Sequence, residues 1–314
     1  MSTKPKRIVV AINPSASFGK GRNVGPAVIT SLRGMGHVVE PLVEDDYFSL
    51  MESGRRAVAT KPDAFVVVGG DGMVNLGTNL VAGTKVPLGI VPSGTGNDMA
   101  RALGIPFKNT EEAIRILADA LGRKPRAIDA GRATHAHRET GERTQTWFAC
   151  LVSAGFDAIV NERANSWTYP KGPSRYNLAL IYELAKLKPI TYRLTLDGVQ
   201  STFQASLITV ANGRSLGGGM LVTPNAKVDD GLLDVLIVQK LSRLSFLRVF
   251  PRVYKGEHIT DPRVSITHAK HVIVDADGIS ATADGETLGP LPAEIAIVPG
   301  ALLILAPETA PGFS

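Results

Sequence analysis

The sequence predicts an α/β domain with a doubly wound parallel sheet, followed by a β-rich sandwich domain. The chain has 314 residues, about twice a common domain length. Up to residue 127, strand-like runs alternate with helix-length segments, which is typical of a parallel sheet covered by helices. Beyond it, many short strand-like runs indicate an antiparallel sandwich. We therefore expect the first domain at residues 1–127, completed by 299–314, and the second at 128–298.

Elements of the first domain are predicted from apolar runs and from residues that begin or end helices. Ala64–Val68 is the clearest buried strand, because its apolar run ends at two glycines. Thr110 is the expected N-cap of a helix that reaches Leu121, since acidic residues follow it. The other expected strands are Arg7–Ile12, His37–Val43 and Val86–Val91, and the other expected helices are Val24–Met35, Tyr47–Ala59, Met73–Val81 and Met99–Leu103.

The second domain is predicted mainly from short apolar runs bounded by glycine, asparagine or aspartate. Two helical intervals interrupt them, Asn177–Leu187 and Leu241–Tyr254. A last apolar run, Ala301–Ala306, is expected to return to the first domain. The expected strands are Ala127–Ala133, Thr146–Val152, Tyr192–Leu196, Ser206–Ala211, Leu233–Val238, His271–Asp275 and Ile279–Ala283.

Composition and charge exclude several classes of protein. Hydrophobic residues make up 44% and charged residues 20%, which excludes disorder, coiled coil and collagen. The single cysteine, Cys150, favours a reducing compartment, so we expect a cytoplasmic protein. No apolar stretch approaches the roughly 20 residues of a spanning helix, so any membrane contact is expected to be peripheral, at the inner face.

The net charge of +5 favours anionic partners such as a nucleotide or a phospholipid. The basic residues are spread along the chain and no recognition motif is present, so no nucleic-acid partner is expected. A homodimer is left open.

Two glycine-containing loops follow successive predicted strands. The first, Gly69–Met73, lies between a strand and a helix, so its backbone amides can face an anion. The second is Pro92–Asp98. Because carboxyl ends of neighbouring parallel strands lie side by side, we expect Asp71 and Asp98 to face one nucleotide through Mg²⁺. The alternative is that each aspartate only caps its helix. Asn75 stands where the dinucleotide motif needs a glycine, and P-loop and nucleophile-elbow motifs are absent.

Five motifs, in the family's order, resemble those of the diacylglycerol kinase catalytic-domain family and, more closely, its bacterial soluble lipid kinases. The resemblance covers nearly the whole chain, and it depends on the order because single loops are weak evidence. The motifs are Asn13-Pro14 with the following Gly-Lys-Gly, the GGDG loop Gly69–Gly72, the loop Pro92–Asp98, the second-domain signature from Ala211–Gly213 to Asp229–Gly231, and the catalytic sequence Asp284–Glu286.

This resemblance implies a lipid kinase that transfers the γ-phosphate of ATP, with Mg²⁺, to a lipid hydroxyl in a cleft between the domains. Diacylglycerol, giving phosphatidic acid, is the expected lipid substrate. Glu286 is implied to be the general base, which suits a carboxylate because a loose transition state needs little proton abstraction. Without the resemblance, a solvated turn carboxylate would be the commoner interpretation of Glu286.

The resemblance also implies the binding residues. Asp71 is implied in catalysis as well as in nucleotide binding. The other nucleotide-binding residues are Asn13, Pro14, Gly69, Gly70, Gly72, Met73, Asn75, Ser93, Gly94, Thr95 and Asn97. Magnesium is expected at Asp98, Asp129 and Asp230, and at main-chain oxygens near Lys227 and Leu232.

Met73 departs from the family, which usually has threonine there. The loss of one hydroxyl hydrogen bond is on the order of 1 kcal/mol, so activity can persist with altered strength or nucleotide preference. An NAD kinase-like enzyme, which also uses a GGDG loop, is the main alternative, although Pro92–Asp98 has the lipid-kinase form. A non-catalytic nucleotide- or lipid-binding regulator is the second alternative, and Met73 favours it.

Two segments are candidates for membrane contact. Lys240–His271 holds seven Lys or Arg residues with leucines and phenylalanines interleaved, which could rest a basic helix on anionic lipid. An arrangement with the apolar side in the core and the basic side in water is commoner. The second candidate comprises Trp167, Tyr169, Lys171 and Arg175.

Overall fold

The computed structural model describes residues 4–12, 23–167, 169, 178–179, 182–183, 186 and 188–307. The chain forms two compact units, Met1–Ala130 with Pro299–Ser314, and Gly131–Val298. The predicted site residues Asn13 and Pro14 lie outside the described residues, as do Lys171 and Arg175. The predicted helix at 177–187 is described only in part.

A parallel sheet forms the centre of the first unit. Strand β3 (Ala64–Gly69) lies in the middle of this sheet and pairs in parallel with β1 (Arg7–Ile12) and with β4 (Leu88–Pro92). Strand β1 in turn pairs in parallel with β2 (Val38–Val43). The end of β15 (Ala293–Leu305) adds a further parallel strand, with Ile304 opposite Leu88 of β4.

Helices alternate with the strands of the first unit, so the predicted α/β fold is confirmed. Strands β3 and β4 are buried along their whole lengths, as expected for a sheet covered on both faces. The helices are α1 (Val24–Gly34), α2 (Tyr47–Ala59), α3 (Asp71–Val81), α4 (Asp98–Ala102) and α5 (Thr110–Leu121).

The N-cap predicted for α5 was wrong by one residue. Asn109 is the cap, and its side chain accepts a hydrogen bond from the Glu112 N–H at 3.2 Å. Thr110 is the first helical residue. Asparagine caps helices at least as well as threonine, so the residue before the predicted cap takes the role.

The second unit is built on antiparallel strands, which confirms the predicted β-rich fold. Strand β9 is central and pairs antiparallel with β7, β8 and β10. The end of β5 (the whole strand spans Arg126–Ala136) and the start of β15 belong to this unit. Its other strands are β6 (Arg143–Phe148), β7 (Leu151–Gly155), β8 (Ile190–Leu196), β9 (Val199–Ala211), β10 (Leu233–Gln239), β11 (Val264–Ala269), β12 (His271–Asp275), β13 (Ser280–Ala283) and β14 (Glu286–Pro290).

Helices α6 (Phe156–Ser166) and α7 (Arg243–Val249) belong to the second unit. The sequence did not predict α6, and it predicted one helix over Leu241–Tyr254 where α7 ends at Val249. A 3₁₀ helix follows at Phe250–Lys255. Proline has no N–H for the α-helical ladder, so the proline in this segment accounts for the early end of α7.

Among the described residues, no helix is long and apolar enough to cross a membrane.

Candidate active site

The two glycine loops start at the same edge of the parallel sheet, because Gly69 of β3 pairs with Pro92 of β4. Asp71 joins the loops directly. Its carboxylate accepts hydrogen bonds from the Asn97 N–H at 2.8 Å and from the Asp98 N–H at 2.7 Å. Both carboxylate oxygens of Asp71 therefore hold the second loop in place.

Glycine is required where these loops touch. A Cβ atom on Gly94 would lie 2.4 Å from the Cα of Gly70, so a side chain there would separate the loops. Asn97 has φ +55°, and its side chain closes the second loop by accepting from the Gly94 N–H at 3.1 Å and donating to the Gly94 carbonyl at 2.7 Å. Thr95 is exposed at this loop.

Two acidic groups, the half-buried Asp71 and Asp98, lie close together here. Desolvation is the main cause that raises the pKa of the Asp71 carboxyl, and the negative charge of Asp98 adds to it, although the two N–H donors oppose both effects. Asp98 is itself buried. A cation would relieve this repulsion, and Mg²⁺ commonly uses one or two carboxylates together with phosphates. The donor set therefore fits an ion that arrives with a nucleotide.

Met73 and Asn75 lie on the first turns of α3. Met73 is only 3% exposed, and a Cβ atom on Gly69 would lie 2.4 Å from the Met73 Cγ. Met73 therefore packs against the loop. Asn75 is buried, and its Oδ1 accepts a hydrogen bond from the Tyr47 hydroxyl at 3.4 Å. Its Nδ2 donor has no hydrogen-bond partner in the described part of the chain, which leaves it available to an acceptor atom of a ligand.

In the second unit, Asp284 and Gly285 form the two-residue turn between β13 and β14. Both have positive φ, +48° and +89°, as a type I′ hairpin turn requires. The Asp284 carboxylate accepts three backbone N–H groups, from Ala149 at 2.8 Å and from Cys150 and Leu151 at 2.9 Å each. Asp284 is therefore a buried anchor.

The same segment, 149–151, is also bonded by the second-domain signature. The N–H groups of Asn212 and Gly213 donate to the Cys150 carbonyl at 2.8 Å each, and the Asn212 side chain donates to the Ala149 carbonyl at 3.0 Å. These contacts interrupt the strand predicted at Thr146–Val152, which was wrong as one element and forms the end of β6 and the start of β7.

Glu286 is the first residue of β14 and lies opposite Ala283. Its side chain is solvent-exposed, yet enough protein surrounds the carboxyl for desolvation to raise its pKa. An accessible carboxylate with a raised pKa is a suitable proton acceptor near neutral pH.

The other predicted metal residues make hydrogen bonds within their own units. Asp129 is buried in the first unit, and its carboxylate accepts from the Gly300 N–H at 2.8 Å. Asp230, in the second unit, accepts from the Leu232 N–H at 3.1 Å, and Lys227 is exposed. Within the described ranges, no three His, Cys, Asp or Glu side chains cluster as a metal site.

Sequence reasoning missed Asp234, which lies 3.4 Å from the His268 Nε2. Desolvation is the main cause that raises the pKa of Asp234. The neighbouring His268 opposes this effect, and the charge of Asp230 adds to it. A carboxylate inside the apolar run of β10 was the available signal. Asp234 is thus a second acidic group near Asp230.

Together, the parallel sheet with two joined glycine loops and the antiparallel unit with its Asp-Gly-Glu hairpin define a two-unit kinase. Residues 7–133 match the diacylglycerol kinase catalytic domain, and residues 150–306 match the YegS C-terminal NAD kinase beta sandwich-like domain. The diacylglycerol kinase of Mycobacterium tuberculosis is 40% identical over 303 residues, 96% of each chain. The chain therefore belongs to the diacylglycerol kinase family, and it is a lipid kinase.

A more distant relative and two solved structures are also similar to this chain. The diacylglycerol kinase of Bacillus subtilis is 28% identical over 248 residues, 77% of each chain. A diacylglycerol kinase structure from Bacillus anthracis matches with a TM-score of 0.71 at 22% identity, covering 98% of each chain. Yeast NADH kinase matches with a TM-score of 0.59 at 12% identity, covering 98% of this chain and 85% of that one. These two structures show a shared fold.

Proposed function

We propose that this lipid kinase transfers the γ-phosphate of ATP to the hydroxyl of diacylglycerol, yielding phosphatidic acid and ADP. The hydroxyl oxygen bonds to the γ-phosphorus while the bond from that phosphorus to the ADP oxygen breaks. The observation that carries the proposal is the pair of glycine loops joined by the two hydrogen bonds to Asp71, because it supports a phosphate site in a chain 40% identical to a diacylglycerol kinase.

The first unit would bind the nucleotide. The N-terminus of α3 favours phosphate through its backbone amides and dipole, and Asp71 keeps the second loop beside it. Mg²⁺, when bound, neutralises phosphate charge, and Asp71 and Asp98 are the residues proposed to hold it. The main-chain amides and side chains of both loops, with Asn75, would orient the phosphates.

Further Mg²⁺ sites remain part of the proposal at Asp129 and at Asp230. The second would include main-chain oxygens of Lys227 and Leu232. The charge of Asp230 helps to raise the pKa of Asp234 against the opposing effect of His268, and a cation near Asp230 would relieve that repulsion.

In this proposal Glu286 accepts the proton that the attacking hydroxyl loses. Its solvent access supports contact with a substrate, and its raised pKa supports proton acceptance. Asp284 would act indirectly, because its three hydrogen bonds fix the turn from which Glu286 extends.

We also propose that the enzyme is cytoplasmic and meets its lipid at the inner membrane surface. The net charge of +5 supports attraction to anionic lipid.

The test is a panel of acceptors incubated with purified protein, Mg²⁺ and ATP labelled at the γ-phosphate. We expect labelled phosphatidic acid from diacylglycerol, identified by mass, and slower or no labelling of a monoacylglycerol, a sphingoid base and phosphatidylglycerol. Labelling of NAD, or of none of the lipids, would contradict the proposal. Omission of Mg²⁺ should abolish transfer.

A further inference from the structure

Helix α7 exposes two leucines that lie between two arginines. Leu244 and Leu247 are 60% and 55% exposed. Successive helical residues are about 100° apart, so these leucines occupy the middle of the outward arc, with Arg243 and Arg248 at its two edges. This is the reverse of the commoner arrangement, in which such leucines face the core.

The helix is held in this orientation by its inner side. Phe246 and Val249 are buried. The Phe246 ring lies 4.7 Å from that of Phe156 and 5.3 Å from that of Phe250, measured between centroids. These contacts keep the leucines outward.

The surrounding surface is strongly basic. Residues 240–255 include five Lys or Arg residues and no acidic residue. Four of these side chains form no ion pair with any described residue, namely Lys240, Arg243, Arg248 and Lys255. Tyr254 is 54% exposed, and its ring packs edge-on against Phe250, which stacks on Phe246 of α7. We call Arg243, Leu244, Leu247, Arg248 and Tyr254 the α7 surface.

We propose that the α7 surface docks onto membranes that contain anionic phospholipid. The leucines and the tyrosine would enter the headgroup region, while the flanking arginines reach lipid phosphates. This inference deepens the proposed function and rests on it, because a lipid kinase must meet an acceptor held in a bilayer. Three exposed apolar side chains among cations are far fewer than the about 20 residues per side of a stable protein interface.

The test measures sedimentation of the full chain with vesicles, without ATP. Wild-type protein should bind vesicles of equal parts phosphatidylcholine and phosphatidylglycerol, and it should bind pure phosphatidylcholine weakly. The double variant Leu244→Ser with Leu247→Ser should weaken binding to the anionic vesicles about tenfold or more. Arg243→Gln with Arg248→Gln should weaken it and reduce its salt dependence.

Val199→Ser is the matched control, since Val199 is 73% exposed on β9 of the same unit. It should bind as wild type does. Equal vesicle binding by the leucine double variant and wild type would overturn the proposal. So would a wild-type dimer that the double variant dissociates while vesicle binding is unchanged, because the surface would then join two copies.

Kinetics separate this inference from the proposed function. With a short-chain, water-soluble diacylglycerol, the leucine double variant should phosphorylate as fast as wild type, and with diacylglycerol in anionic vesicles it should be slower. Failure of wild type on the soluble acceptor would contradict the proposed function. Equal rates of the two proteins on vesicles would contradict the docking surface.

Discussion

Asp71 in the first unit and Asp284 in the second both precede a glycine, and both accept backbone N–H groups from another segment. Asp71 accepts two, from the loop that ends in Asp98. Asp284 accepts three, from residues 149–151. Desolvation and the charge of Asp98 raise the pKa of Asp71. Asp284 is therefore a buried anchor of the fold, whereas Asp71 is a carboxylate that its surroundings destabilise, which supports the proposal that it helps to hold a cation.

The largest effect on stability is expected from Asp284→Asn. The amide offers one acceptor oxygen to three buried donors, so we expect the free energy of unfolding to fall by about 3 kcal/mol. Denaturant unfolding monitored by circular dichroism measures it.

The matched control is Asp197→Asn. Asp197 also precedes a glycine, has a positive φ of 46° and accepts two backbone N–H groups. Unlike Asp284, it is exposed. Its loss should cost about 1 kcal/mol or less. Equal losses at the two positions would contradict the assignment of Asp284 as the anchor.

Asp71→Asn should separate binding from stability. The variant loses a carboxylate that burial destabilises, and its amide oxygen can still accept one of the two N–H groups, so we expect a stability change within about 1 kcal/mol. The affinity for ATP with Mg²⁺, measured by calorimetry, should fall about tenfold or more. A stability loss as large as that of Asp284→Asn would remove the contrast between the loops.

The pH profile should reflect Glu286. A general base works only when ionised, so activity is lost as pH falls through its pKa. Because desolvation raises the pKa of Glu286, the acidic limb of kcat should begin at a higher pH than for an ordinary glutamate. Asp71→Asn should keep this limb. If the acidic limb were lost in Asp71→Asn, the limb would belong to Asp71, whose pKa is also raised.

The smallest effect is expected from Met73→Thr. The variant gains a hydroxyl near the proposed phosphate site but loses packing against Gly69, so the two changes partly offset each other. We expect the KM for ATP to change by less than about tenfold, an effect on the order of 1 kcal/mol. A comparison of ATP with GTP would detect a change in nucleotide preference. A complete loss of activity would contradict the expectation that the two changes partly offset each other.

The glycine loops could be predicted because their signal is local. Ala64–Gly69 and Leu88–Pro92 are apolar runs that end at the loops, and parallel pairing then brings the loops together. The signal for the helix Tyr47–Ala59 is also local, and this helix was predicted at the bounds that the structure shows.

The role of Asp284 could not be predicted, since its partners lie more than 130 residues away. The same holds for Asp71, whose hydrogen bonds to the Asn97 and Asp98 amides depend on loop geometry and not on pattern. Helix α6 was missed because no clear apolar period marks it. Asp234 was missed because its apolar neighbours dominate the pattern of β10.

A single-turnover measurement tests the central claim most directly. Enzyme in excess over γ-labelled ATP is mixed with diacylglycerol, and the rate of phosphatidic acid formation is compared between wild type and Glu286→Gln. We predict a rate about 10²–10⁴-fold lower in the variant with nearly unchanged ATP binding, whereas Glu142→Gln, an exposed control in the same unit, should match wild type. A Glu286→Gln rate equal to that of wild type would contradict the account.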